Sequence, residues 1–307
     1  MFGKKYVNHL IERSAENPSD RRRFVKAASA TGLGLVGAGL LAGMEASPAA
    51  AATDSHGISD SAILNFALNL EYLEAQFYSH AVFGYGLPSS LTWGKGKHGG
   101  VEGGRAVPFK SKGLKQFATE IAKDEHEHVA FLRGALGSAA VAQPEINIKS
   151  SFTAAATAAG LIKPGQTFDP YANEENFLLG AFIFEDVGVT AYKGAAPLIS
   201  NKTYLGAAAG ILAVEAYHAA NIRTVLYDRG LASAANAISA ARTSLDGPDD
   251  QGVTMDGVAN IVPADSNGLA FGRTPGQVLN VVYLTPKVAN SGGFYPHGVN
   301  GQLHTSA

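Results

Sequence analysis

The sequence predicts an all-α fold: a four-helix bundle with a long crossover between its second and third helices, followed by a loop-rich helical C-terminal extension. Three observations carry that prediction. Four long segments repeat apolar residues at three- and four-residue spacing, the period of a helix with one buried face. The connection between the second and third, 135–173, is long enough to cross the bundle, whereas the third and fourth are joined by a short link. Carboxylates also stand inside the apolar stretches, where an unpaired charge would cost several kcal/mol, so they need a common partner.

Composition sets the frame. The 307 residues are 46% hydrophobic and 16% charged, a core-forming balance. Lys+Arg 24 against Asp+Glu 26 leaves a net charge of -2 and no basic footprint, so no nucleic acid is expected as a partner. Cys 0 excludes disulfides, thiolate nucleophiles, zinc ribbons and iron–sulfur clusters. Any metal must be held by Asp, Glu, His or Tyr.

Residues 1–52 read as an address. Asp20-Arg21-Arg22-Arg23-Phe24-Val25-Lys26 resembles a twin-arginine export signal. A weakly hydrophobic Ala/Gly/Leu stretch follows, too glycine-rich for a membrane span, and Ala50-Ala51-Ala52 offers small residues for cleavage. The expectation is a periplasmic or secreted protein, handed to the twin-arginine translocase during export, whose mature form does not span the membrane.

The first helix is expected over 59–80 and the second over 114–132, with a glycine-rich loop, 84–113, between them. The crossover 135–173 holds a small Ala-rich helix near 151–162. The third helix is expected over 174–192 and the fourth over 204–227, joined by a short link with Pro197. These make a bundle domain of 53–229; residues 230–307 form an extension that packs on it. In the extension an Ala-rich helix covers 232–243. Thr274-Pro275-Gly276-Gln277 reads as a capped helix start, and the glycine-rich tail 292–298 as an ordered loop.

Chemistry concentrates on the four helices. Glu71 and Glu185 each end an apolar run, and Glu215 with His218 stands inside another. On the second helix Phe117, Ile121, Glu125, His128 and Leu132 share a stripe; on the fourth, Ile211, Glu215, His218, Ile222 and Val225 do. A Glu and a His three apart lie about 60° apart around the axis and one turn along it, so both reach one metal cluster. Tyr78 and Tyr192 each follow a buried Glu by seven residues. The chain therefore reads Glu-x6-Tyr, Glu-x2-His, Glu-x6-Tyr, Glu-x2-His, one element per helix.

That alternation resembles the ferritin-like superfamily, and within it the exported group that includes plant desiccation-related proteins. The likeness covers roughly 60–300, and Arg273-Thr274-Pro275 and the Gly-Gly-Phe-Tyr-Pro tail resemble that group's C-terminal region. The resemblance implies two iron or two manganese ions bridged by Glu125 and Glu215, with Glu71 and His128 completing one and Glu185 and His218 the other. It also implies redox chemistry of the catalase, peroxidase or ferroxidase type on a small-molecule oxidant, peroxide or dioxygen. A metal binder without turnover and a structural stress-protection protein are the alternatives. A homo-oligomer is a further expectation. Unlike rubrerythrin, the chain has no cysteines for an electron-transfer module.

Around the ligands, Asp124 either accepts a hydrogen bond from His218 or is surface charge, and Tyr78 and Tyr192 are donors beside the centre or core aromatics. Glu74 and Glu127 fall off the stripe and read as solvated helix face, with Glu74 the reserve ligand. His80 and His126 read as exposed. Gly94-x-Gly96-x-x-Gly99 matches a dinucleotide fingerprint by letter, but it follows no strand and opens no helix, so it is set aside.

Overall fold

The computed structural model describes residues 57–247 and 250–307, so the export-signal reading of 1–52 lies outside the described residues. Four long helices dominate: α1 (Asp60–Phe83), α2 (Lys112–Leu136), α4 (Glu174–Ala195) and α5 (Lys202–Asp228). Three shorter ones complete the helical set among the described residues: α3 (Ser150–Ala158), α6 (Ala232–Asp246) and α7 (Pro275–Tyr283). None is long and apolar enough to cross a membrane.

Each long helix begins at a side-chain cap. Ser59, Ser111, Asn173 and Asn201 accept from the first free backbone amides of α1, α2, α4 and α5. The helices run past the expected ends because apolar periodicity marks only the buried stretch, whereas caps and backbone bonds set the true limits. Helix α7 opens with the full Thr274/Gln277 capping box and stops where Leu284 turns left-handed at φ 56°. The small helix of the crossover is shorter than expected, since Gly160 takes φ 70° just past its end.

Helix α1 packs mainly on α2, and α4 on α5. Phe77 sits at the middle of the bundle core, ringed by Tyr78, Phe152, Tyr171, Phe177 and Phe184. Glu174 ties three helix ends together. Its Oε1 accepts the Lys110 and Ser111 amides at 2.8 and 2.6 Å ahead of α2, and its Oε2 accepts from Arg229 at 2.9 Å just after α5.

The sequence reading contained no strands, and the structure adds short ones. β1 (Val101–Gly103) pairs in parallel with β2 (Ile146–Ile148), Val101 opposite Ile146, where the glycine-rich loop runs beside the crossover. A second pair, β3 (Thr254–Met255) and β4 (Val258–Ala259), is a small hairpin in the extension. Their two or three residues are too few for alternation to register. The glycines of the rejected fingerprint have a packing cause here. A Cβ on Gly94 would stand 2.5 Å from the Ala140 carbonyl oxygen, and one on Gly99 only 2.2 Å from the Glu145 nitrogen.

The extension docks on the bundle through apolar and charged contacts. Phe294 packs edge-on against Phe152 and Phe184, and the Tyr295 hydroxyl donates to the Asn69 carbonyl of α1 at 2.7 Å. On the α4 side, Asp186 Oδ2 accepts from Arg223 at 2.6 Å and Arg242 at 2.8 Å. Arg242 and Arg273 in turn hold Asp250, and Arg273 also holds Asp246. This lattice links α4, α5, α6 and the chain leading to α7.

Candidate metal centre

The bundle brings six side chains to one point: Glu71 from α1, Glu125 and His128 from α2, Glu185 from α4, and Glu215 and His218 from α5. The four carboxylates have no solvent exposure. They gather because each stands on the core stripe of its helix at the same level, with Ile121 and Leu132 or Ile211 and Ile222 filling the turns on either side.

Their atoms form two overlapping groups. Glu71, Glu125, His128 and Glu215 offer ligand atoms within 4.8 Å of one another, and so do Glu125, Glu185, Glu215 and His218. Glu125 and Glu215 belong to both. The Glu125 oxygens divide between the halves: Oε2 lies 3.5 Å from His128 Nδ1, and Oε1 lies 3.3 Å from His218 Nδ1. His128 Nδ1 is also 3.2 Å from Glu71 Oε2, and His218 Nδ1 is 3.3 Å from Glu185 Oε2.

Apart from the hydrogen bond between His128 and Glu71, these groups do not satisfy one another. Both carboxylate oxygens of Glu125, Glu185 and Glu215, and Nδ1 of His218, are buried without a hydrogen bond of acceptable geometry. Buried polar atoms are ordinarily paired, so a cluster this poorly paired fits residues that share a partner other than each other. Four carboxylates with two neutral imidazoles also balance the charge of two divalent cations. The donor set of carboxylate oxygen and imidazole nitrogen suits iron and manganese alike.

The electrostatics of the protein's own groups agree. Burial raises Glu71 from 4.5 to about 7, against the pull of His128. Burial and the charges of Glu125 and Glu185 push Glu215 well above the carboxylate range, and burial raises Glu185. Glu125 goes the other way: burial raises it, but the bonds and charges of His128 and His218 prevail and lower it. Both histidines are raised, because the surrounding carboxylates outweigh their burial.

Asp124 Oδ2 stands 3.1 Å from His218 Nε2, the second of the two settings the sequence allowed being thereby replaced by a contact. The tyrosines pair across helices. Tyr192 of α4 donates to Glu71 of α1. Tyr78 of α1 is buried without a well-formed hydrogen bond; burial and the charge of Glu185 on α4 raise its pKa. Two Glu-x6-Tyr elements facing each other in opposite directions produce this crossing.

Two expectations need correction. Glu74 is not solvated: it is only 5% exposed and its pKa is raised well above the usual range by burial and then by Glu215, Glu125, Glu71 and Glu185. The cause is Gly188 on α4, whose lack of a side chain leaves room for Glu74 Oε1 and Glu215 Oε2 together. Val281, Val282 and Phe294 of the extension cover that side, around a void of about 10 Å³. The signal was present in the sequence, for Glu74 follows Glu71 by three residues inside the same apolar run. His80 is half-buried, and burial lowers its pKa. Glu127 is exposed, as expected.

Residues 59–228 match the ferritin-like domain family, more than half of the chain. The chain belongs to the ferritin-like family. Among its relatives in that family is the desiccation-related protein PCC13-62 of Craterostigma plantagineum, 32% identical over 268 residues that cover 80% of this chain and 84% of that protein. Another is the ferritin-like catalase Nec2 of Nesocodon mauritianus, 29% identical over 279 residues, 81% of this chain and 87% of the relative. No solved structure matches the chain. In both relatives the similarity covers a larger share of the chain than the ferritin-like domain alone.

Proposed function

We propose that this ferritin-like protein is exported, binds two iron or two manganese ions, and acts as a redox enzyme on peroxide or dioxygen, with peroxide disproportionation its first candidate reaction. The supporting observation is the pair of overlapping ligand groups that share Glu125 and Glu215. Glu71 and His128 would complete one ion's set, Glu185 and His218 the other's. The similarity to a ferritin-like catalase favours disproportionation among the redox reactions.

Two such ions supply adjacent redox-active Lewis-acid positions for an oxygen–oxygen unit. The chain's own residues do the rest. Asp124 accepts the Nε2 proton of His218, which fixes the tautomer and leaves Nδ1 facing the carboxylates. Tyr192 fixes the rotamer of Glu71 through its hydroxyl. Complete burial of the four carboxylates keeps bulk water from competing for them. Disproportionation oxidises one peroxide to dioxygen and reduces another to two waters, so it needs no outside reductant and suits a chain without cysteine.

Metal content per chain, measured by mass spectrometry, tests the reading together with oxygen release from peroxide. Near two iron or two manganese per chain is expected, with both metal and activity lost in Glu125→Ala and Glu215→Ala. Two metals retained in both variants would sink it. Loaded protein that releases no oxygen and consumes no peroxide would leave a metal binder; protein that takes up no metal would leave a structural stress-protection role, the one that the similarity to a desiccation-related protein supports. Export is tested separately: replacing Arg21 and Arg22 by Lys should leave the uncleaved precursor inside the cell, and normal export of that variant would reject the twin-arginine reading.

A further inference from the structure

Helix α5 turns its charges inward. Between Lys202 and Asp228 its charged and imidazole side chains, Glu215, His218 and Arg223, are all buried, so its solvent face carries no charge. Helix α2 does the opposite and exposes Lys112, Lys115, Lys123 and Glu127. Along the outer face of α5 stand Gly206, Gly210, Ala213, Tyr217, Ala220 and Thr224, four and three residues apart in alternation. That is the heptad spacing of a helix whose seam meets another helix. Ala220 is half-buried and the other five are exposed, Tyr217 at 71%.

The order of sizes along the seam selects its partner. Gly206, Gly210 and Ala213 make a small first half, and Tyr217, Ala220 and Thr224 a larger second half. Let a second α5 lie antiparallel on this one, about a two-fold axis level with Glu215. Tyr217 then comes opposite the partner's Ala213, Ala220 opposite the partner's Gly210, and Thr224 opposite the partner's Gly206. Every layer sets a larger side chain on a smaller one, so that knobs find holes. A parallel pair would set Tyr217 on itself and glycine on glycine, with a clash in one layer and gaps in two. The missing charge serves the same contact, because a two-fold interface lays a surface on its own duplicate, where like charges repel.

We infer that α5 is the contact helix of a homodimer, packed antiparallel through this seam on the α5 of a second copy. The seam is about 28 Å long and about 10 Å wide, which offers about 300 Å² per copy. A stable pair buries about 800 Å² on each side, so the contact must extend beyond the helix. Apolar surface for it lies alongside. The loop that lines a slot with Ala216 and Ala220 carries Val262, 72% exposed, and Leu269, 58% exposed. Glu215 and His218 are on the buried side of α5, so the contact leaves both ligand groups as they are, and it stands whether or not metal binds.

Analytical ultracentrifugation of the purified chain tests the inference. A dimer with a micromolar or tighter dissociation constant is expected. Ala213→Glu, at an exposed helical position, should bury a charge against the partner's Tyr217 and weaken association about 100-fold or more, with the helical spectrum unchanged. Tyr217→Lys alone should do the same. Mixed together, the two variants should pair again, since the antiparallel register brings positions 213 and 217 of the two chains opposite each other. Should Ala213→Glu fail to fold, Gly206→Glu on the same seam takes its place. A parent that stays monomeric at micromolar concentration would overturn the assignment and leave the seam to a helix of another protein. A dimer that survives the seam variants would overturn it too, as would mixed variants that stay apart.

Discussion

At the scale of single residues, Gly188 and Glu71 show how the fold serves the centre at its own expense. Alanine is the better helix former by about 1 kcal/mol, so Gly188→Ala would ordinarily strengthen α4. A Cβ there would stand 2.3 Å from Glu215 Oε2 and 3.3 Å from Glu74 Oε1. Glu215 meets it with the end of a flexible side chain, so the carboxylate moves and the helix does not. The expected outcome is metal-free stability within about 1 kcal/mol of the parent. Manganese affinity, read by competition with a chelating dye, should fall about 10–100-fold. Unchanged affinity would show that Gly188 is not what makes room for the carboxylates. Glu71 supplies a pH signature. Its carboxyl is raised from 4.5 to about 7 in the fold, so the folded state holds the proton more tightly than the unfolded chain. That contribution is complete at low pH and is lost as pH climbs between those two values. Metal-free protein should therefore melt lower at pH 7.5 than at pH 5, by several degrees if Glu71 dominates (about 4–8 °C per kcal/mol for a small domain, less for one this size). Metal requires the deprotonated ligand, so the stabilisation gained on adding manganese should grow over the same range. A gain independent of pH in thermal melts would contradict the assignment of Glu71 to the centre.

At the scale of elements, the four helices were legible because each carries a long buried stripe, and Glu125, His128, Glu215 and His218 because they interrupt such stripes. Glu74 was misread because it was weighed by helix face alone, although it lies inside the apolar run, and its burial is completed by a glycine more than a hundred residues away and by Phe294 of the extension. The crossed tyrosines were hidden for a similar reason. Spacing places Tyr192 on the face of Glu185, but only the opposed directions of α1 and α4 bring its hydroxyl to Glu71. Glu174 is a further example, an acidic residue in a first helical turn whose partners lie on two other elements. Replacing it by Ala removes the charged acceptor of two partly buried backbone amides ahead of α2, those of Lys110 and Ser111. The loss should be about 2–3 kcal/mol in urea unfolding, nearly all from the amides, since the half-exposed pair with Arg229 adds at most about 1 kcal/mol. Glu174→Gln keeps an oxygen acceptor and should recover most of that loss. If Glu174→Ala costs less than about 0.5 kcal/mol, the helix ends are held by other contacts.

At the scale of the whole molecule, the extension was foreseen as a packing unit, but what fastens it could not be seen. Asp186, Arg223, Arg242, Asp250 and Arg273 are scattered over 88 positions of sequence and meet only once α4, α5 and α6 are assembled. Arg242 is the hub. It is 2% exposed, donates to the Phe182 carbonyl, Asp186 and Asp250, and stacks 4.6 Å above the Phe182 ring. Removing one member of a buried charge lattice costs about 3–5 kcal/mol, because the remaining charges lose a partner without regaining water. Arg242→Met keeps much of the volume and deletes the charge. Asp186 would keep Arg223 and Asp250 would keep Arg273, so the lower end of that range is expected. The position of the loss matters as much as its size. Helix α1 is fastened to the tail by Tyr295 and to α2 by the core, so the bundle should survive while α6 and the loop around Asp250 loosen. Limited proteolysis should then cut near 247–273 in the variant under conditions that leave the parent whole, with far-UV helicity almost unchanged. Cleavage spread equally over the bundle, or a loss in urea below about 1 kcal/mol, would mean that apolar docking of Phe294 alone holds the extension in place.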